Sequence, residues 1–310
     1  MSFRSKQCAR VEYLLKNGNI FYGDRGGGAF KGKPYPFVLK NAEHNLYAPA
    51  KNDIMYYFKE NGITWWSGEL TNHTLSPQVA CLNHLFPLRE DKNAVLSIVK
   101  RIYPEIADVL TLKTDRYRPA YIQFEAVSDA DHLNEGASAR GGNRTSIDAL
   151  IYGSAQDGRK ILFLIGWKYI EAYDDVNKAS GDAGKIRTGR YAGLIRKSEQ
   201  LRSANPAVYY FEPFYQLMRR TLWAEQMVKN KSAETIQADD YIFIHVIPPG
   251  NGELMHKLYP CSGKEMEDTW RSLIKDQKKY KIVSPKDLLK PIAGMRQFQA
   301  LTDYLMTRYW

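Results

Sequence analysis

Residues 143–173, NRTSIDALIYGSAQDGRKILFLIGWKYIEAY, decide the fold. Two apolar runs flank the polar turn SAQDGR, the pattern of two strands joined by a hairpin-like connection. The first run carries one carboxylate, Asp148, and the second one ammonium, Lys168. Charges are rarely left inside apolar strands unless they are paired or used. Side chains alternate across a strand, so Leu162, Leu164, Gly166, Lys168 and Ile170 share one face, and Phe163, Ile165, Trp167 and Tyr169 the other.

The chain of 310 residues with 44% hydrophobic content is long enough to bury a sizeable core. No apolar run approaches the roughly 18 residues of a membrane span, and the N-terminal MSFRSKQCARVEYLL lacks the pattern of a signal peptide. These features predict a cytoplasmic protein. Cys8, Cys81 and Cys261 are far apart and outside any zinc-ligand spacing, so reduced, buried thiols are expected. Lys and Arg number 44 against 34 Asp and Glu, a net charge of +10, which favours polyanionic partners.

Toward the N-terminus, EYLLKNGNIFYG sets Asn17-Gly18 between apolar runs and predicts a hairpin. Gly27, Gly32 and Lys33 match the spacing of a phosphate loop, but Pro34 stands where a metal-binding hydroxyl is needed, so a Gly-rich surface turn is expected. NGITWWSGEL reads as a strand-like patch and SPQVACLNHLFPLRED as a short helix after Ser76-Pro77. His73 and His84 have no acidic partner in register and read as surface or core-edge histidines. Val95, Ile98, Val99 and Ile102 lie on one helical face, with Pro104 ending or kinking that helix before a restart at Glu105.

RPAYIQFEAV predicts a strand holding Glu125, followed by a Gly-rich polar loop. Beyond the central strands, KIRTGRYAGLIRKSEQLR reads as a helix with an apolar stripe and a basic face of Lys185, Arg187, Arg190, Arg196 and Lys197, either solvated or in contact with phosphates. EPFYQLMRRTLWAEQMVKN steps by three and four as a core helix, and DDYIFIHVIPPGNGEL gives a further strand. Helices are expected to close the fold. The reading is one domain over 1–310, with an N-terminal elaboration over 1–92, a core over 93–250 and a helical closure over 251–310.

The order helix, strand, strand, strand, helix, strand, with TSIDALIYG followed by ILFLIGWKYIE, resembles the PD-(D/E)XK nuclease superfamily. It is closest to a bacterial branch whose second strand reads LIEWKYTE. Phe124-Glu125, NHLFPL, EPFYQLMRRTLWAEQM, HVIPPGN and YLMTRYW share that resemblance, which covers the chain from about Ser76 onward. It implies an α/β, restriction-endonuclease-like αβββαβ core with a mixed central sheet flanked by helices. It also implies Mg²⁺- or Mn²⁺-dependent hydrolysis of nucleic acid by metal-activated water, with DNA favoured over RNA. Asp148 matches the metal-binding aspartate, Lys168 the motif lysine, and the Trp167 backbone carbonyl a further metal ligand.

The second acid should stand at 166, where this chain has Gly166. Removing an anionic oxygen weakens a magnesium site that relies on one or two carboxylates. Glu125 on the preceding strand could supply the missing metal ligand. The alternatives are an inactive nuclease-fold protein that binds nucleic acid or a protein partner, and a plain ion pair between Asp148 and Lys168. A homodimer is compatible with every one of these readings.

Overall fold

The computed structural model describes residues 1–112, 119–136 and 144–310. Asn143 and most of the Gly-rich segment before the first central strand therefore lie outside the described residues. The chain opens with α1 (Phe3–Asn17), the short hairpin β1 (Ala29–Phe30) and β2 (Lys33–Pro34), α2 (Ala48–Glu60) and α3 (Pro77–Leu85). Next come α4 (Lys92–Ile102), β3 (Ile106–Leu110), β4 (Gln123–Ala126), β5 (Ile147–Ala155), β6 (Lys160–Trp167), α5 (Gly181–Lys197), α6 (Phe214–Lys229) and β7 (Asp240–Val246). The rest holds α7 (Gly252–Met255), α8 (Met266–Leu273), β8 (Tyr280–Val283), α9 (Pro285–Leu288) and α10 (Gln299–Arg308).

The result is a mixed α/β fold with a mixed central sheet between helices, as the central stretch predicts. Strand β5 pairs antiparallel with β6, β6 runs parallel to β7, and β7 parallel to β8. On the other side of β5, β4 pairs with its first half and β3 with its second, both antiparallel. The β5–β6 turn closes through Gly158, whose φ of +85° suits glycine, and the Asp157 carboxylate accepts from the Arg159 N–H.

One face of the sheet carries Ala149, Ile151, Ile161, Phe163, Ile165 and Trp167 into a core shared with α1–α4 and α10. The other carries Leu150, Tyr152, Leu162 and Leu164 into a core shared with α5, α6 and α8. Burial on both faces explains why β5 and β6 read as nearly continuous apolar runs.

Several sequence expectations are corrected. The segment around Asn17-Gly18 is the end of α1, where the Gly18 N–H caps the Leu14 carbonyl, and not a hairpin. Asn-Gly ends helices as readily as it turns hairpins, and Val11 and Leu15 one turn apart bury the helix. The tryptophans of NGITWWSGEL form no strand: Trp65 stacks on Phe58 of α2 with ring centroids 3.8 Å apart. The helix does not restart at Glu105, because Ile106 and Val109 are buried along β5 as strand β3. KYKIV, expected to be helical, is β8 on the parallel edge.

The N-terminal elaboration is tied to the C-terminal helix by Arg308, which is 1% exposed. Its guanidinium donates to the Asn45 carbonyl at 2.6 Å and to the Tyr304 hydroxyl at 2.6 Å, bonds the Asn45 side-chain oxygen, and lies over the Phe21 and Tyr309 rings. Truncation strands these buried acceptors, so Arg308→Ala is expected to cost on the order of 3 kcal/mol of stability. Urea denaturation of the two proteins checks this, and an unchanged midpoint would count against it.

Candidate functional site

The sheet register sets the site. Strand β6 pairs Ile165 with Ala149, so one further pair puts Gly166 opposite Asp148. Strand β4 pairs Phe124 with Ala149 and Ala126 with Ile147, which places Glu125 beside Asp148 on the other side. Strand β7 sets His245 next to Gly166. Glu125, Asp148, Gly166 and His245 thus form one row across four strands. The ordinary alternation breaks at that row: Phe124 and Ala149 face the first core while Ala126 and Ile147 face the second. Glu125 absorbs the break with φ +47°, a left-handed conformation that costs a non-glycine residue about 1–2 kcal/mol.

Asp148, 5% exposed, does not bond Lys168. Its two oxygens accept from Arg220 Nη2 at 2.5 Å and from the Trp167 backbone N–H at 2.6 Å. Arg220 reaches it from α6, itself 8% exposed. The guanidinium fills the space that a side chain at 166 would need, because a Cβ built on Gly166 falls 2.6 Å from Arg220 Nη1 and 2.7 Å from Phe243 Cζ. An arginine therefore lies where the sequence comparison expects an acid.

Lys168 is 4% exposed and donates through Nζ to Gln216 Oε1 at 2.7 Å and the Tyr173 hydroxyl at 2.8 Å. The plain Asp148–Lys168 ion pair is thus replaced by Asp148–Arg220, with Lys168 held by neutral oxygens. Burial works against the charge on Lys168, but Tyr173 and Glu171 outweigh it and raise its pKa. Glu171 accepts from the Tyr169 N–H at 2.6 Å, and burial raises its own pKa.

Glu125 is 2% exposed and takes hydrogen bonds from Gln78 Nε2 at 2.8 Å and Ser146 Oγ at 2.7 Å. Burial, and then the Asp148 charge, push its carboxyl up to about 7.

A cleft of about 170 Å³ opens beside Asp148, lined among others by Trp66, Arg144, Gln216, Arg219 and Arg220. Arg144 donates to the Ser128 and Ala130 carbonyls, with no carboxylate in ion-pair contact among the described residues. Arg219 is held by Glu135, a carboxylate that also accepts from Thr145 and from Tyr191 of α5. Arg219 and these donors overcome burial and keep Glu135 below its ordinary pKa. Trp66 is 48% exposed, a large ring left open to solvent at the cleft.

The basic helix face is separate. Lys185 pairs with Asp182, Arg187 donates to the Lys178 carbonyl, Arg190 lies over Tyr191, Arg196 is exposed, and Lys197 lines another cavity with Glu199 and Glu225. None of the five lines the Asp148 cleft. Of the cations that do, Arg219 and Arg220 sit in MRRT of a helix read as plain core. Two adjacent arginines on a helix with so wide an apolar face were the available signal.

His73 and His84 are both buried and neutral, pushed by burial down to about 4 and about 3. All three cysteines are unpaired. Among the described residues no group of three His, Cys, Asp or Glu side chains is placed to hold a metal ion, and no helix is long and apolar enough to cross a membrane. The donors around Asp148 do not fit a divalent cation as they stand. Both its oxygens are engaged, a guanidinium occupies the 166 side, and Glu125 favours its protonated form.

The fold is consistent with a nuclease-like protein of the restriction-endonuclease type. A family model described as Restriction Endonuclease associating with ARP matches residues 8–310, and the chain belongs to that family. Neither the curated proteins nor the solved structures gave a match.

The folded protein keeps the Glu125 proton up to about pH 7, whereas an ordinary carboxyl releases it near 4.5. Between those values the folded state binds more protons, so this residue makes stability fall as pH rises. Glu125→Gln should remove that fall, leaving the variant on the order of 1–3 kcal/mol more stable at pH 8 and no different at pH 4. Denaturation at the two pH values decides the matter, and parallel curves at both would refute it.

Proposed function

We propose that the protein binds nucleic acid, DNA in preference to RNA, at the Asp148 face, and that Arg220 supplies there the positive charge a divalent metal would bring to a phosphodiester. One observation carries this reading: the Arg220 guanidinium bonds Asp148 and occupies the side-chain space of Gly166. Arg219 and Arg144 extend the positive lining, and Trp66 offers a face on which a base can stack. Binding without hydrolysis follows, because Asp148, as bonded by Arg220 and the Trp167 N–H, does not fit the divalent cation that would activate a water. The net charge of +10 strengthens the encounter with a polyanion.

A second reading, hydrolysis with Mg²⁺ or Mn²⁺ held by Asp148, Glu125 and the Trp167 carbonyl, is favoured by the adjacency of Glu125 and Asp148 in one strand row. It requires Arg220 to leave Asp148. Lys168, buried one residue past the end of the strand that holds Gly166, would then stabilise developing negative charge.

Fluorescence anisotropy with labelled single- and double-stranded DNA should give binding that weakens as salt rises. Trp66→Ala should weaken it about tenfold. The purified protein should leave plasmid and oligonucleotide uncut in Mg²⁺ or Mn²⁺, and Gly166→Glu alone should not restore cleavage, since the new carboxylate meets Arg220. The double variant Gly166→Glu with Arg220→Ala frees the acid pair for a metal. Metal-dependent cutting by the unaltered protein would establish the second reading in place of the first.

A further inference from the structure

The face of the sheet opposite Asp148 holds a cavity of about 370 Å³, and nothing in the preceding reading uses it. That volume falls in the range of small-molecule sites. Its walls are aromatic: Trp167 and Tyr169 from the end of β6, Tyr309 and Trp310 beyond α10, and Phe3 of α1. Lys286, exposed at the start of α9, stands on the lining next to Asp287 and makes no ion pair among the described residues.

Two polar groups at this wall have no hydrogen-bond partner among the described residues. His84 is 1% exposed, and its Nδ1 donates to the Ala80 carbonyl at 2.6 Å, which assigns the proton to that nitrogen. The neutral ring therefore turns an unprotonated Nε2, an acceptor, away from its own helix, and that atom has no hydrogen bond. The rings around it, Trp167 at 4.7 Å, Tyr309 at 4.7 Å and Trp310 at 5.8 Å between centroids, all line the cavity. The Trp310 indole Nε1, which can only donate, is likewise buried and unpartnered. A buried orphan acceptor near a buried orphan donor is costly in an empty protein, because each has given up its hydrogen bonds to water without replacement.

We propose that this cavity binds a nucleoside monophosphate. The base lies among the aromatic rings, its edge presents a donor to His84 Nε2 beside an acceptor for Trp310 Nε1, and its phosphate meets Lys286. Nucleobases carry donor and acceptor side by side on a flat π-surface, the combination this wall leaves unsatisfied. Trp167 joins the two faces: its ring lines the cavity while its N–H holds Asp148. The assignment stands apart from the proposed nucleic-acid binding, which uses the other face.

Titration calorimetry and tryptophan fluorescence of the full chain, with AMP, GMP, CMP and UMP and their nucleosides as probes, test it. One-to-one binding tighter than about 1 mM is expected for at least one monophosphate. Lys286→Glu, a surface change that leaves the core intact, should weaken that monophosphate at least about fivefold and leave its nucleoside unaffected. His84→Phe should abolish binding of both. Trp66→Ala, on the opposite face, should change neither. The proposal is overturned if no probe binds, or if binding ignores Lys286→Glu and is lost with Trp66→Ala, which would place the nucleotide in the Asp148 cleft.

Discussion

The ion pair between Asp148 and Arg220, set over Gly166, is the constraint from which the site follows. A carboxylate on a strand buried on both faces is tolerable only if its charge is met, and here a guanidinium and a backbone N–H meet it. The guanidinium can come that close only because residue 166 has no side chain. Gly166 and Arg220 are therefore one feature described from two ends. The glycine that looks like a missing acid in the sequence is the room an arginine uses in the structure.

Around that pair the polar network is graded. Arg219 is committed to Glu135, which binds the head of β5 and α5 to α6 through Thr145 and Tyr191. Lys168 is committed to Tyr173 and Gln216. Arg144 donates to the Ser128 and Ala130 carbonyls and the Ser128 hydroxyl, and among the described residues no carboxylate is in ion-pair contact with it. Satisfied networks of that kind fix side chains in place.

Where local pattern and tertiary environment agree, the sequence was easy to read. The apolar runs around SAQDGR, the stepped α6 and the Ser76 cap declared their elements because periodicity and burial coincide. Asn17-Gly18 misled because the same dipeptide serves two kinds of chain reversal, and only the helical spacing of Val11 and Leu15 separates them. KYKIV hid its strand because an edge beside β7 tolerates lysines that a central strand would not. Strand parity set Gly166 and Lys168 on one face, and the family resemblance singled out Asp148 with them. Arg220 was not visible, since its partner lies 72 residues away and a helix wheel cannot say which arginine turns inward.

The Arg308–Asn45 contact has a further consequence for how the molecule is made. It joins positions 263 residues apart, so the aromatic core beneath α2 and α3 lacks its central cation until α10 has been synthesised and docked. Closing so long a loop is a late and slow event in folding. The first helices stay a partly open layer until α10 docks on them.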